Sequence, residues 1–390
     1  MVNLKSTQQL KAFLGGTLCQ VDIKAIQSEL NALWLKASTG SPDDEEHPQV
    51  VRACSANLIL YTDRDDAERV DSDLLDDVLQ QHPARAILAI CRPVAEFNKI
   101  EAWVSARCHI TGNGRQVCSE MITVLSEGNA GQELISVIDS LLIGDLPIFV
   151  WWTIDDLNGE KIAPFLANAK RLIVDSARAP YSFSFLRDLQ RLVDSTLDCI
   201  HVSDLNWRRL LGIRSAIAEE FDRLPLNISD LQKIKKVKLA SCGQELNADD
   251  CSIQSLLLLG WLASRLDWEP VCFGRDGEGK PTVAKYSNGV EATFGTTSLN
   301  HVAQGSVFEV ELELEDGKKL RISRDPAGEA GSLVVSLKDK DKVVRELLAD
   351  DSDLSRVNLV GFELEELTAD CIFAQSLSSA IDLIELLEAK

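Results

Sequence analysis

Residues 144 to 156 read Gly-Asp-Leu-Pro-Ile-Phe-Val-Trp-Trp-Thr-Ile-Asp-Asp. After the proline come consecutive large apolar side chains, ending in two adjacent tryptophans, Trp151 and Trp152. Neighbouring residues of a strand point to opposite faces of its sheet. A strand with a tryptophan on each face is therefore buried on both, the condition of a central parallel strand lying between two layers of helices. The segment predicts a core strand over Pro147–Ile154, with Trp151 and Trp152 filling opposite sides of the sheet near its carboxyl edge.

The flanking sequence repeats that pattern. Apolar runs predict strands at 50–63, 82–93, 102–110, 116–125, 171–175 and 199–202, and amphipathic spacing predicts helices at 21–37, 65–80, 131–142, 159–169 and from Phe183 onward. Thr111-Gly112-Asn113-Gly114 between two strand-like runs is a hairpin signal. Strands alternating with helices imply a mostly parallel sheet, and the hairpin makes it mixed. Residues 203–222 read as one long helix followed by Pro225. Next come a strand in LQKIKKVKLA, an apolar helix over Ile253–Leu266, and alternating runs with turns from Trp268 to Leu348, which predict an antiparallel sheet. A last helix is predicted from about Leu377. The expected fold is α/β: a mixed, mostly parallel sheet with helices on both faces, plus a C-terminal α+β domain rich in antiparallel strands. The expected divisions are 1–49 (a helix and an acidic linker), 50–202 (the α/β domain) and 203–390 (a connecting helix and the C-terminal domain).

The chain has 390 residues, 61 acidic against 40 basic, and a formal net charge of −21. That balance argues against neutralising nucleic-acid phosphates or anionic membrane surfaces. No apolar run reaches the roughly 20 residues that span a bilayer, and the first residues lack the pattern of a signal peptide. A cytoplasmic location is expected.

No reaction is written plainly in the residues. The ten cysteines form no C-x-x-C, the five histidines do not cluster, and there is no G-x-S-x-G, so neither a metal site nor a cofactor is expected. Gly274-Arg-Asp-Gly-Glu-Gly-Lys-Pro281 imitates a phosphate loop, but a proline occupies the hydroxyl position and a strand follows, so it reads as a hairpin turn. Asp155 and Asp156 stand at the carboxyl end of a parallel strand, where α/β sheets bind ligands; they read more simply as caps of the turn leading into the next helix. Arg214 falls on an otherwise apolar stripe with Trp207, Leu210, Leu211 and Ala218, a place for a snorkelling or internally paired arginine, or for contact with an anion or partner. Cys108 and Cys118 face each other if the hairpin loop is residues 112–114, and lie on opposite faces if the turn is Asn113-Gly114 alone. Cys242 and Cys251 flank a strand-to-helix loop. These four are the candidate redox cysteines.

Several stretches together resemble one family. Asp145-Leu-Pro-Ile-Phe-Val-Trp-Trp152, Arg171-Leu-Ile-Val-Asp-Ser176, the segment Asp204-Leu-Asn-Trp-Arg-Arg-Leu210 with Arg214, His82-Pro-Ala-Arg-Ala-Ile87 and Gly260-Trp-Leu-Ala-Ser-Arg-Leu266 are similar, in order, to the motifs of the glucose-6-phosphate dehydrogenase assembly proteins, OpcA. Where that family often has Thr-Pro-Trp before the arginine, this chain has Leu211-Gly212-Ile213. The resemblance implies a non-catalytic assembly factor and allosteric activator, with no cofactor, that binds glucose-6-phosphate dehydrogenase and favours its active oligomer in the oxidative pentose phosphate pathway. It also implies a link to thioredoxin. Asp155, Asp156, Trp207, Arg208 and Arg214 are then the candidate partner contacts. The alternative reading is a nucleotide- or sugar-phosphate-binding enzyme or sensor at the carboxyl edge of the sheet.

Overall fold

A computed structural model describes residues 19–38, 50–63, 72–95, 97–110, 116–128, 131–196, 200–243, 251–275, 282–299, 302–324, 331–340, 342–351, 355–366 and 368–388. The acidic segment after Ser38, the first part of the helix expected at 65–80, and the turns at 111–115 and 276–281 lie outside these residues.

The first sheet contains β1 (Cys19–Val21), β2 (Val50–Arg52), β3 (Asn57–Thr62), β4 (Arg85–Arg92), β5 (Lys99–Ile110), β6 (Gln116–Glu127), β7 (Ile148–Trp152), β8 (Arg171–Val174) and β9 (His201–Asp204). Its helices are α1 (Ile26–Ser38), α2 (Ser72–Gln81), α3 (Gly131–Leu141), α4 (Gly159–Leu166) and α5 (Phe183–Thr196). The strands run in the order β1-β5-β6-β4-β3-β7-β8-β9, with β2 on β6. From β6 to β9 all pairings are parallel, whereas β5 pairs antiparallel with β6 and with β1. The sheet is thus mixed and mostly parallel, as the sequence predicts. The parallel order β6-β4-β3-β7-β8-β9 is that of the doubly wound dinucleotide-binding sheet, with its reversal point between β3 and β7.

The two tryptophans divide as expected. Trp151 joins the core with Leu75 and Val78 of α2 and with Leu359 and Val360, near the C-terminus; Trp152 joins the opposite core. There its ring stacks on Tyr61 at 4.1 Å and meets Phe165 of α4 edge-on at 5.5 Å. The turn into β7 is also sequence-coded. Asp145 adopts φ +68°, a left-handed conformation that Asp tolerates better than most residues. The Asn57 side chain accepts from Ile143 N at 2.9 Å and donates to Ile143 O at 3.0 Å, setting β7 beside β3.

The second half contains α6 (Leu205–Arg208), α7 (Leu211–Phe221), β10 (Ile234–Cys242), α8 (Ile253–Leu266), β11 (Pro270–Arg275), β12 (Thr282–Tyr286), β13 (Glu291–Thr297), β14 (Val307–Leu314), β15 (Lys318–Arg324), β16 (Ser332–Asp339), β17 (Lys342–Asp350), α9 (Arg356–Glu365) and α10 (Cys371–Glu388). Its strands run β11-β12-β13-β10-β14-β15-β16-β17. All pairings are antiparallel except β10 with β13. The phosphate-loop imitation at 274–281 joins the antiparallel strands β11 and β12, as its hairpin reading requires.

Three helix expectations are corrected. The helix predicted over 203–222 is split: Ser203 and Asp204 end β9, α6 is a single turn, and α7 begins at Leu211. Leu205, Trp207 and Leu210 are all buried. Leu205 and Trp207, about 200° apart on the turn of α6, enter opposite cores: Leu205 joins the one with Trp151, and Trp207 and Leu210 join the larger one. The last helix begins at Cys371, not near Leu377, because the Asp370 carboxylate accepts from Phe373 N at 2.8 Å and caps it. α9 was not anticipated. It packs back onto α2 of the first sheet, where Gly361 lies against His82.

Candidate functional site

The split at α6 and α7 places a buried polar cluster between the two sheets. Asp204, fully buried, caps α6. One of its oxygens accepts from Ser176 N at 2.9 Å and Asn206 N at 3.0 Å, the other from Ser176 Oγ at 2.6 Å. Burial, then the neighbouring Asp175 charge, raises its carboxyl to a pKa of about 6, against the opposing hydrogen bonds from Ser176 and Asn206. Asp175 is held by Arg209 through two bonds of 2.6 and 2.9 Å. Asn206 donates to Ser176 Oγ at 2.9 Å and accepts from Gln254 Nε2 at 2.7 Å, while Gln254 Oε1 accepts from Val307 N of β14 at 2.8 Å. A continuous chain of hydrogen bonds therefore runs from the carboxyl ends of β8 and β9 to the centre of the second sheet.

Just outside this hub stand three candidate residues. The Arg214 guanidinium lies 3.6 Å from the centre of the Trp207 ring, a cation–π stack. Burial lowers Arg214 to a pKa of about 10, partly offset by Asp370. Trp207 Nε1 donates to Asp370 at 2.8 Å, and Arg208 lies over Phe362 and 3.5 Å from Glu363. Arg214 is thus an internally stacked cation, a role distinct from the snorkelling and carboxylate-paired ones read from its place in the sequence. Its carboxylate neighbour Asp370 comes from a segment more than 150 residues away, a distance that no local pattern encodes.

Two adjoining cavities open here and share Arg208. One, of about 250 Å³, is lined by Trp207, Asp370 and Cys371 and has Arg171 in its wall. Arg171 is 1% exposed; it pairs with Glu363 at 3.0 Å and donates to the carbonyls of Glu366 and Thr368 at 2.8 and 2.6 Å. Burial lowers its pKa, with Glu363 opposing. The other cavity, of about 450 Å³, lies between α7, α9 and β17 and is lined by Leu211, Ala216, Leu348 and Phe362. Acidic groups outnumber basic ones around the smaller cavity, which disfavours an anionic ligand there.

Asp155 and Asp156 lie elsewhere, at the reversal point of the first sheet. Asp156 accepts from Asn158 N at 3.0 Å, its carbonyl accepts from Trp152 Nε1 at 2.9 Å, and Asn158 caps α4. Asp155 pairs with Arg178 at 3.3 Å, and Lys161 bridges Asp63 and Asp156 at 3.0 and 3.6 Å. These pairs build the turn into α4, the simpler of the two expectations. In the dinucleotide-binding sheet the turn after the first strand is glycine-rich, so that backbone can approach a pyrophosphate. Here β3 is followed by Asp63-Arg-Asp-Asp-Ala-Glu-Arg-Val-Asp71, acidic and without glycine.

Cys108 and Cys118 occupy directly opposed positions of β5 and β6 and form a disulfide. Cys242 and Cys251 are both buried, and Cys242 Sγ donates to Val302 O at 3.2 Å. Among the described residues no group of histidine, cysteine or acidic side chains is arranged to hold a metal ion, and no helix is long and apolar enough to cross a membrane.

Comparison with known proteins gives two consecutive matches. Residues 75–191 match the OpcA family model described as "Glucose-6-phosphate dehydrogenase subunit N-terminal domain", and residues 200–377 match the one described as the C-terminal domain of the same subunit. The chain is 33% identical over 206 residues to the OxPP cycle protein OpcA of Nostoc punctiforme, covering 52% of this chain and 42% of that relative. It is 28% identical over 246 residues to the OpcA of Synechococcus elongatus, covering 62% and 52%. The chain spans about half the length of the curated relatives it matches. Among solved structures, an oxidoreductase domain protein from Kribbella flavida is similar at a TM-score of 0.49 and 12% identity, covering 86% of this chain and 97% of that one. A biliverdin reductase from Synechocystis is similar at 0.45 and 12%, covering 86% and 98%. These structural likenesses are too weak to bear on function.

Proposed function

The chain belongs to the OpcA family of glucose-6-phosphate dehydrogenase assembly proteins, and from that membership we propose that it binds glucose-6-phosphate dehydrogenase and favours its active oligomer without catalysing a reaction itself. The observation that carries this reading is the pair of family models lying end to end along the chain. The mechanism is linkage: a protein that binds one state of an oligomer more tightly than another shifts the population by that difference in affinity. The acidic, glycine-free sequence after β3 supports a binding role over dinucleotide chemistry. The protein acts in the cytoplasm, apart from nucleic acid and membranes, a reading that the net charge of −21 supports. Residues 50–202 and 203–390 serve as two domains, a division supported near residue 204 by the separation of the described strands of the two sheets, 19–204 against 234–350, with β1 joining the first sheet from before residue 50. The Cys108–Cys118 bridge is a thioredoxin-reducible element of this function, supported by its place between two neighbouring strands.

The test is co-elution with purified dehydrogenase in gel filtration, together with glucose-6-phosphate titrations of the dehydrogenase with and without this chain. A shared peak and a changed oligomer or lower apparent KM are expected; separate peaks with unchanged kinetics refute the reading. A thermal-shift panel of nucleotides and sugar phosphates tests the enzyme or sensor alternative, and a flat panel is expected.

A further inference from the structure

The hydrogen bonds that join Asp204 to β14 lie in series, and each has a direction. A backbone N–H can only donate. Val307 N gives its hydrogen to Gln254 Oε1 at 2.8 Å, which fixes how that amide is turned. Gln254 then presents Nε2 to Asn206 Oδ1 at 2.7 Å, and Asn206 presents Nδ2 to Ser176 Oγ at 2.9 Å. Ser176 Oγ, already accepting there, turns its own hydrogen to Asp204 Oδ2 at 2.6 Å. Asp204 Oδ1 faces two further backbone donors, Ser176 N and Asn206 N. Ser176, Asp204, Asn206 and Gln254 are at most 2% exposed, so solvent offers little to replace a missing partner.

The series is therefore pinned at both ends. Its hydrogens run from β14 toward Asp204, and only an ionised carboxylate accepts on both oxygens and donates nothing. A protonated Asp204 has one place for its hydrogen, on Oδ2 toward Ser176 Oγ, because Oδ1 faces two N–H groups. Two donors then meet at Ser176, whose own hydrogen has no other acceptor among its contacts with the described residues. Reversing Ser176, Asn206 and Gln254 in turn moves the conflict along the series without removing it. It ends with Gln254 Nε2 against Val307 N, and a backbone N–H cannot reverse.

We propose that Asp204 is a proton-sensitive joint between the two sheets: ionised, it completes the series and fixes β8 and α6 to α8 and β14; protonated, it breaks one of these bonds and loosens the halves against each other. The charged groups about it are Asp175, held by Arg209 through two bonds, and, around the smaller cavity, Arg171, Arg208, Glu363, Glu366 and Asp370. Burial, then Asp175, sets the titration at about pH 6. The unfolding free energy runs the other way with pH, because it follows the cost of burying the charge, whereas the order of the joint follows the direction of its hydrogens.

The test is heteronuclear NMR and amide exchange of the full chain between about pH 5 and 7.5. The Val307 amide and the side-chain amides of Asn206 and Gln254 are expected to shift together with one midpoint near pH 6. On the acid side Val307 N–H is expected to lose roughly tenfold in protection, after correction for intrinsic exchange, the factor for one lost hydrogen bond. Asp204→Asn, whose side-chain nitrogen donates toward Ser176 Oγ, should show the acid pattern at every pH. Gln254→Met alters no group bonded to Asp204 but removes the pin, and is expected to raise the midpoint by about one pH unit. Val307 and Gln254 signals that do not titrate, or a midpoint that Gln254→Met leaves in place, overturn the joint and reduce Asp204 to a locally titrating cap. If Asp204→Asn fails to fold, the wild-type titration and the Gln254→Met midpoint still decide.

Discussion

Asp204 ends a strand, caps a helical turn and anchors the hydrogen bonds that join the two sheets. With a pKa of about 6 in the folded protein against 3.8 ordinarily, it holds its proton in the folded chain after the unfolded chain has lost it. Its contribution to stability is thus complete below about pH 4, declines as pH rises to about 6, and is absent above that. Two pH units correspond to about 3 kcal/mol. The isosteric Asp204→Asn variant does not titrate, so wild type should lose about 3 kcal/mol relative to it between pH 4 and 7. Urea unfolding of both proteins at several pH values reads this directly; a difference independent of pH would mean that Asp204 titrates normally. A second case is Arg85, which pairs with Glu120 at 2.6 Å where both side chains are buried. Glu120→Ala leaves that guanidinium buried and uncompensated, at a cost of about 3–5 kcal/mol in the unfolding free energy. Sequence patterns located the arginines of these motifs but not their partners. Glu120 lies on β6, which the strand order sets beside β4, and Asp370 caps α10, which packing brings to Trp207.

At the scale of elements, apolar runs were the legible signal. β3, β4, β7 and β8 are apolar on both faces and bounded by turns, so their positions were readable. α9 was not, because its sequence is mixed and its burial depends on Gly361 meeting His82 of the first half. The motif glycine Gly260 has a similar cause. A methyl group there would overlap Ser376 O and stand 3.1 Å from Ala380 N, where α8 crosses α10. Gly260→Val should therefore force the helices apart and cost about 2 kcal/mol or more. A fall in Tm with a loss of near-ultraviolet ellipticity from Trp261 and Trp268 would register it, and an unchanged Tm would contradict the contact. In the β5–β6 hairpin, sequence left two registers open, and the structure selects the one that places Cys108 opposite Cys118. The bridge closes a loop of separation 10, worth about 2–3 kcal/mol by chain entropy. The Cys108→Ser, Cys118→Ser double variant should lose that amount in non-reducing urea unfolding and match wild type under reducing conditions.

At the scale of the whole molecule, the larger hydrophobic core runs without interruption from the helices of the first sheet to the inner face of the second. The last two helices close it from the far end of the chain. α9 buries Leu359 and Val360 against the first sheet, and α10 buries Phe373, Leu377, Leu383 and Ile384 between the halves. Six such side chains at about 2 kcal/mol each contribute on the order of 10 kcal/mol, as much as the whole net stability of a typical domain. The two sheets should consequently unfold together. The full chain is expected to show one calorimetric transition, with calorimetric and van't Hoff enthalpies in agreement. A chain ending at Asp351 retains every described strand of both sheets, yet is expected to lose that transition and bind a hydrophobic dye. If the truncated chain instead melts cooperatively near the wild-type Tm, the sheets are autonomous and the helices are accessories to the fold.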